Sequence, residues 1–580
     1  MSRVVFFSLL LLIICLFFTS FSNGAGPPAG SKGPAKGPSP GAPGSKGPGP
    51  GKGPSPGASG PKGPGPGPGP VSSSDPGSLY KSFLDCLPTQ SPQPDPSFST
   101  IVYSSTANSS AYTKTLQDHI RNKRYNVAST PKPVIIATPK KESHVQAIVL
   151  CAKKLNIQIK IRSGGHDYEA ISYVSSEKKF MILDMFNIRK VDINIPAQTA
   201  YVEAGAQLGD LYYRIWEKSK VHGFPSGVCP TIGVGGHLSG SGYGTMIRKY
   251  GLSIDHITDA KIVTANGKVM DRKTMGEDLF WALRGGSGSS FGVVLSFTVK
   301  LVSVPKVTTV FRIEKPVEQN AIDAIMKWQS IMPTIDNDLF IRLLLSTNKN
   351  SIRTVFIANF LGDSSRVLAL MNKSFPELGV KKEDCHEVTW FQSLFYWAEI
   401  DYNKSKPEVF LDRKTVPNFF KRKSDYVQTP IQKAGWSAIF NKLKGLDKVA
   451  MGFNPYGGKM SEIAANATPM PHRAGNLYKI QYSINWGESD PKATENGLKQ
   501  AKDIFEFMTT YVSKNPRGAF TNYRDFDIGV RSGDGFNSGK VYGEKYYKGN
   551  YERLVKIKTA VDPDNFFRNE QSIPAQSKKG

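Results

Sequence analysis

Cysteine is scarce in this chain of 580 residues: there are five, and the first, Cys15, lies in an apolar stretch at the amino terminus. So few cysteines exclude a small disulfide-built scaffold. Acids are also in short supply, 48 against 74 Lys and Arg, which leaves a formal charge of +26. A surplus of that size suits nucleic acid, acidic lipid or acidic polysaccharide. No basic run interleaves with aromatics, however, and no zinc-finger or helix-turn-helix spacing occurs, so nucleic acid is not an expected partner. Long hydrophobic runs are missing except Val4–Phe18, which Ser8 interrupts and which falls short of the roughly 20 residues a membrane span needs. With Arg3 before it and Ser22-Asn-Gly24 after it, this run reads as a secretory signal peptide over residues 1–24. The expectation is a secreted, cell-wall protein with no membrane span. From Ala25 to Pro70 there is no acid and no aromatic residue, only Gly, Pro, Ser, Ala and five lysines. Such a composition cannot build a core, and its glycines lack the strict period of collagen. Residues 25–78 are therefore expected to form a disordered basic tail, with anionic wall polymers as its partner. A Gly-x-Gly-x-x-Gly between strand and helix is absent too, which removes the support for a nicotinamide-binding unit.

Present instead are two glycine-rich segments that carry reactive side chains. The first is Arg162-Ser163-Gly164-Gly165-His166; the second runs from Gly227 through Cys229 to Gly235, Gly236 and His237. Backbone without Cβ atoms can approach a pyrophosphate closely, and His166 and Cys229 offer nucleophilic atoms for attachment to an isoalloxazine ring. Together they point to a flavin held by two covalent bonds. Around them, Pro133–Ala137 reads as a buried strand and Val145 to Leu155 as a helix. Ile157, Ile159 and Ile161 alternate as a strand that turns into the first glycine loop. Seven glycines in the eighteen residues Gly227–Gly244 argue for a loop rather than a helix interior or strand. Val293 to Leu301 alternates as a strand, Asn522–Gly529 reads as strand-like, and Tyr551–Thr559 reads as a helix stopped at Asp562-Pro563. Once the signal is removed, Cys86, Cys151, Cys229 and Cys385 allow three complete pairings. A cofactor on Cys229 would leave one disulfide and one free thiol. Cys385 beside His386 reads as a structural cysteine, not a metal or nucleophile pair, and no metal site is expected. Asn108, Asn372, Asn403 and Asn466 head glycosylation tripeptides, of which two or three are expected to be used.

On Arg162 to Tyr168, Gly227 to Thr231, Gly235-Gly-His237, Phe280 to Gly286, Asn522 to Asp525 and Val561 to Pro574, the chain resembles the plant berberine bridge enzyme-like flavoproteins. Their FAD domain is of the vanillyl-alcohol-oxidase (PCMH) type. The resemblance implies an α+β fold in which a two-part FAD domain encloses an α/β substrate domain with an antiparallel sheet. The first part is 79–304, with its PCMH core at about 128–304; the substrate domain is 305–499, and 500–575 completes the FAD domain. It implies FAD bound through His166 and Cys229, with Arg162, Ser163, Gly164, Gly165, Gly235 and Gly236 around it, and a Cys86–Cys151 disulfide. It places the active site on Tyr168, Tyr243, Lys479, Gln481 and Tyr523. There Tyr243 takes a hydroxyl proton while hydride passes to flavin N5. Lys479 beside the ring, helped by Gln481 or Tyr523, would lower the phenol pKa from its usual 10. The implied activity is oxidation of CH–OH, with a monolignol-type phenylpropanoid alcohol as first substrate and an oligogalacturonide or cellodextrin as the alternative. A wall-binding flavoprotein with little turnover is the reading from another class. Ile232, three residues beyond Cys229, is expected to cover the oxygen path and make the enzyme a dehydrogenase. A monomer is expected.

Overall fold

The computed structural model describes residues 76–576 apart from 92–94, 317–318, 349–350, 488 and 534. The expected signal peptide and nearly all of the expected tail lie outside the described residues. The tail's expected limit at residue 78 moves back, because a helix over Pro76–Cys86 buries Leu79 and Phe83.

Among the described residues the α+β architecture rests on three larger sheets. In the first, Ile135–Ala137, Phe180–Asp184 and Gln158–Arg162 run parallel, with the short Val102–Tyr103 antiparallel at the edge. The helix Glu142–Lys154 joins two of these strands, and the Cys86–Cys151 disulfide ties it to the amino-terminal helix. The second sheet is antiparallel, in the order Val191–Asn194, Thr199–Glu203, Val293–Lys300, Ile257–Val263 and Val269–Met270. Val293–Lys300 is buried along most of its length, so its alternation separates two packed faces instead of a core face from a wet one.

The third sheet has seven antiparallel strands. Its order is His386–Val388, Thr308–Glu314, Ser351–Phe360, Leu339–Asn348, Val449–Pro455, Tyr478–Trp486 and Phe419–Val427. Strand alternation gives this sheet two faces. Leu339, Ile341, Leu343, Met451, Phe453, Tyr478, Ile480 and Tyr482 enter one core with residues of the helices Ala321–Ile331, Lys433–Lys444 and Pro491–Phe507. Their sequence neighbours Arg342, Asn454, Lys479 and Gln481 share the opposite face, where Phe340, Leu344 and Ala450 join the core of the glycine-loop region. One sheet thereby closes a hydrophobic core and walls a polar site. The helix Pro491–Phe507 spans the boundary expected at 499/500, and its packing assigns it to this sheet.

Two local expectations are corrected. The glycine stretch 227–244 contains a helix, Val234–Gly240. Tertiary contact outweighs the low helix propensity of glycine here: a Cβ at Gly235 would sit 2.9 Å from the Ala204 carbonyl oxygen. Asn522–Gly529 forms no strand; it is a turn followed by a 3-10 turn over Phe526–Ile528, initiated by the Asp525 side chain accepting from the Asp527 amide. Its apolar residues serve tertiary contacts rather than a ladder.

Candidate active site

The parallel strand Gln158–Arg162 ends in the first glycine loop, which packs face to face with the second. A Cβ on Gly164 would collide with the backbone of Gly233, and Gly165 adopts φ +63° against the His119 carbonyl, so both positions require glycine. The two loops line a cavity bounded by Ile159, Lys160, Ser163, Gly164, Gly165, Gly235 and Gly236 together with Tyr168, Tyr243, Gln481 and Tyr523. His166, Cys229 and Ile232 also line it. Gly236 is exposed, and a Cβ there would meet no described atom within 4 Å. A glycine cradle with open space over Gly236, with His166 and Cys229 on its wall and aromatic rings beside it, fits a flavin dinucleotide.

His166 is held as a neutral imidazole. Arg121 Nη1 donates to its Nδ1 at 3.0 Å, which places the lone pair there, and its Nε2 lies 2.9 Å from Thr231 Oγ1. Arg121 Nη2 donates to the same threonine oxygen at 2.9 Å. Burial first, then the charge of Arg121, holds the imidazole well below its ordinary pKa.

Also on the cavity wall, Gln481 Nε2 donates to Tyr168 Oη at 2.8 Å, and the Tyr168 and Tyr523 rings lie 5.4 Å apart. Tyr243 Oη donates to Asn454 Oδ1 at 2.6 Å, and Arg342 Nε donates to that same oxygen at 2.6 Å. Lys479 Nζ sits 3.8 Å from the centre of the Tyr243 ring, 3.6 Å from Phe520 and 4.3 Å from Tyr523. It is fully buried with no hydrogen-bond partner.

Three expectations are corrected here. The Arg162 side chain does not line the cavity; its Nη2 donates to Asp184 Oδ2 at 2.6 Å and to the Thr115 carbonyl, fully buried. An ion pair fixing the strand end to its neighbour takes the place of a cofactor contact. Lys479 stands beside the Tyr243 ring, behind the aromatic wall. The Tyr243 phenol is not lowered: burial pushes it up to about 12, and the opposing pull comes from Arg342. Burial and the charge of Arg342 depress the Lys479 ammonium well below its usual range, which weakens the help assigned to it. Gln481 serves Tyr168 and not Tyr243.

Arg342, Asn454, Phe520, Arg121 and Thr231 were missed. An arginine in the otherwise apolar Leu339-Phe-Ile-Arg-Leu-Leu-Leu345 and an asparagine closing Val449–Asn454 were the available signals. The expected glycosylation residues Asn108, Asn372, Asn403 and Asn466 are all exposed. Among the described residues Cys385 is the free cysteine, partly buried, and burial pushes its thiol up to about 11, which fits a structural role.

Comparison with known proteins agrees with this construction. A family model described as "FAD binding domain" matches residues 133–272, and one described as "Berberine and berberine like" matches 519–574. Berberine bridge enzyme-like 19 of Arabidopsis thaliana is 54% identical over 518 residues, covering 88% of this chain and 90% of that protein. BBE-like 28 from Arabidopsis thaliana superposes with a TM-score of 0.80 at 42% identity, over 86% of this chain and 100% of that one. Phl p 4, a grass pollen allergen with glucose dehydrogenase activity, gives 0.81 at 42% identity over the same shares, and an isoleucine-to-valine variant of it is a glucose oxidase. With its glycine cradle, its cavity and these likenesses taken together, the chain belongs to the berberine bridge enzyme-like family of FAD-dependent oxidoreductases.

Proposed function

We propose that this protein oxidises the CH–OH group of an alcohol, that Tyr243 takes the hydroxyl proton, and that FAD is bound covalently through His166 and Cys229. The observation that carries the reading is the cavity-lining Tyr243 phenol, fixed by Asn454 Oδ1, which Arg342 also holds. FAD supplies the two-electron acceptor for the hydride. Asn454 aims the Tyr243 oxygen, and Arg342 beside it favours the phenolate that receives the proton. Gln481 and Tyr168 form a hydrogen-bonding pair that can orient the substrate hydroxyl. Tyr168, Tyr523 and Phe520 make an aromatic wall that suits a phenylpropanoid alcohol of the monolignol type.

A sugar is the second reading, favoured by the glucose dehydrogenase activity of the structurally similar Phl p 4. An oligogalacturonide would suit the basic surface. The signal-like amino terminus supports secretion to the cell wall, where the basic tail would meet anionic polymers. Turnover separates this reading from that of a wall-binding flavoprotein.

The test is anaerobic bleaching of the flavin by coniferyl alcohol, glucose and oligogalacturonides. The Tyr243→Phe protein should bind FAD but be reduced slower by a factor of about 100 or more. Because the phenol sits near 12, the native rate should climb as pH rises from 7 to 10. Native-rate reduction of Tyr243→Phe would move the base elsewhere. The native yellow colour should survive acid precipitation; its loss would end the claim of covalent attachment.

A further inference from the structure

The edge strand Phe419–Val427 carries four buried charged residues, Lys421, Arg422, Lys423 and Asp425, an arrangement that is costly unless each charge is paired. Lys421 and Lys423 share the face of Phe419 and Val427, away from the cavity. Two loops from distant parts of the sequence reach round the sheet edge to meet them. Lys421 Nζ binds Glu169 Oε1, Asp525 Oδ1 at 2.7 Å and Asp527 Oδ1 at 3.0 Å. Lys423 Nζ binds Asp525 Oδ2 at 2.8 Å and Asp527 Oδ2 at 2.6 Å. Arg124 Nη1 lies 3.6 Å from Glu169 Oε2, and Tyr125 Oη donates to that oxygen. Three cations thus meet three carboxylates.

Glu169 directly follows Tyr168, and Asp525 lies two residues after Tyr523. A single ammonium group therefore holds the two loops whose tyrosines stand 5.4 Å apart on the cavity wall. On the opposite face of the same strand the Arg422 guanidinium lies 4.5 Å from the Phe420 ring centre and 5.8 Å from that of Tyr168, while Ser424 Oγ accepts from the Phe520 amide. One strand thereby fixes the wall from both faces. We infer that Lys421 and Glu169 are positioning residues for the alcohol-binding wall, setting the place of the Tyr168 hydroxyl relative to Tyr523. The inference rests on the reading of the cavity given above.

Misplacing a substrate contact by about 1 Å can cost as much as a hundredfold in rate. Glu169→Gln is close to isosteric and leaves Lys421 bound to Asp525 and Asp527. It should slow the limiting rate of anaerobic flavin reduction about tenfold to a hundredfold, with flavin content and visible spectrum unchanged. The decisive measurement is a double-mutant cycle with Tyr168→Phe, on whichever of coniferyl alcohol, glucose and oligogalacturonides reduces the native flavin. If Glu169 acts through the Tyr168 hydroxyl, adding Glu169→Gln to Tyr168→Phe should change the rate less than about twofold. A merely structural contribution would multiply through in both backgrounds and overturns the inference, as does a native rate in Glu169→Gln. Lys421→Arg should recover most of what Lys421→Met loses, and equal loss in both also overturns it. A Tyr243→Phe arm separates the two proposals. A normal rate in that arm, or no reduction of the native flavin by coniferyl alcohol, glucose or oligogalacturonides, defeats the reading of the cavity and this inference with it. A slowed Tyr243→Phe combined with an additive cycle defeats only the inference.

Discussion

Ile232 lines the cavity three residues after Cys229, with its amide donating to the Cys229 carbonyl at 3.3 Å and its own carbonyl accepting from Leu208 at 2.9 Å. The backbone on both sides is thus fixed, and a β-branched side chain on it has little choice of χ1. Such a residue can shield a reduced flavin from oxygen without touching the alcohol. Ile232→Val should therefore speed reoxidation by air, leaving reduction by the alcohol nearly unchanged. Stopped-flow reoxidation of both proteins measures it, and equal rates would show that Ile232 does not govern oxygen access. The same scale shows what a sequence conveys about single residues. His166 and Cys229 could be placed on the cavity wall because a glycine-rich motif carries them, and Ile232 because of the family resemblance. Arg162, in the same motif, was misread because nothing local reveals that Asp184, 22 residues away, takes its charge. Arg342 and Asn454 sit in no motif and become a site only when sheet register brings them to one oxygen.

Elements were legible where their period was strong. The helix Glu142–Lys154, the strand Gln158–Arg162 and the helix Asn550–Val561 follow from spacing alone. The helix Val234–Gly240 was not legible, because propensity argues against it and contacts with distant backbone create it. The strand Phe419–Val427 hides its role similarly, since Lys-Arg-Lys reads as a solvated run until loops from 169 and 525 neutralise it. The glycines of the cradle then divide into two kinds with opposite expected behaviour. Gly164→Ala forces a Cβ into the Gly233 backbone, so it should lower both the melting temperature and the flavin content. Gly236→Ala meets no described atom and replaces a poor helix former, a gain of up to about 1 kcal/mol. It should leave the apoprotein at least as stable as the native one while reducing the flavin retained. Thermal unfolding with and without FAD, alongside absorbance of the purified protein, separates the two, and equal flavin content in Gly236→Ala would remove that glycine from the cradle.

For the molecule as a whole, buried titratable groups set how stability responds to acid. Burial holds His119 at about 4 and both His237 and His472 at about 3, against 6.5 for an unfolded chain. Between those values the unfolded chain binds protons that the folded one refuses, so by linkage stability rises with pH across the window and is lost as pH falls through it. Two carboxyl groups act in the opposite sense: burial raises Asp425 to about 6 and also raises Asp167, so they favour the folded state when protonated. Three imidazoles outweigh two carboxyls, and Asp425 ceases to oppose them above about 6, so the net expectation is a melting temperature that drops steadily from pH 7 to pH 4. His472 allows a direct check. Its ring stacks on Tyr426 at 4.1 Å and 10°, and its Nε2 meets the Lys545 carbonyl at 3.1 Å. His472→Phe can keep the stack and loses one hydrogen bond, so it should melt lower than the native protein at pH 7. It also lacks one titrating group, so its melting temperature should fall less steeply toward pH 4 and the two curves should converge. Parallel curves would show that His472 is not protonated on unfolding, and a native curve flat from pH 7 to pH 4 would show that the carboxyl groups cancel the imidazoles.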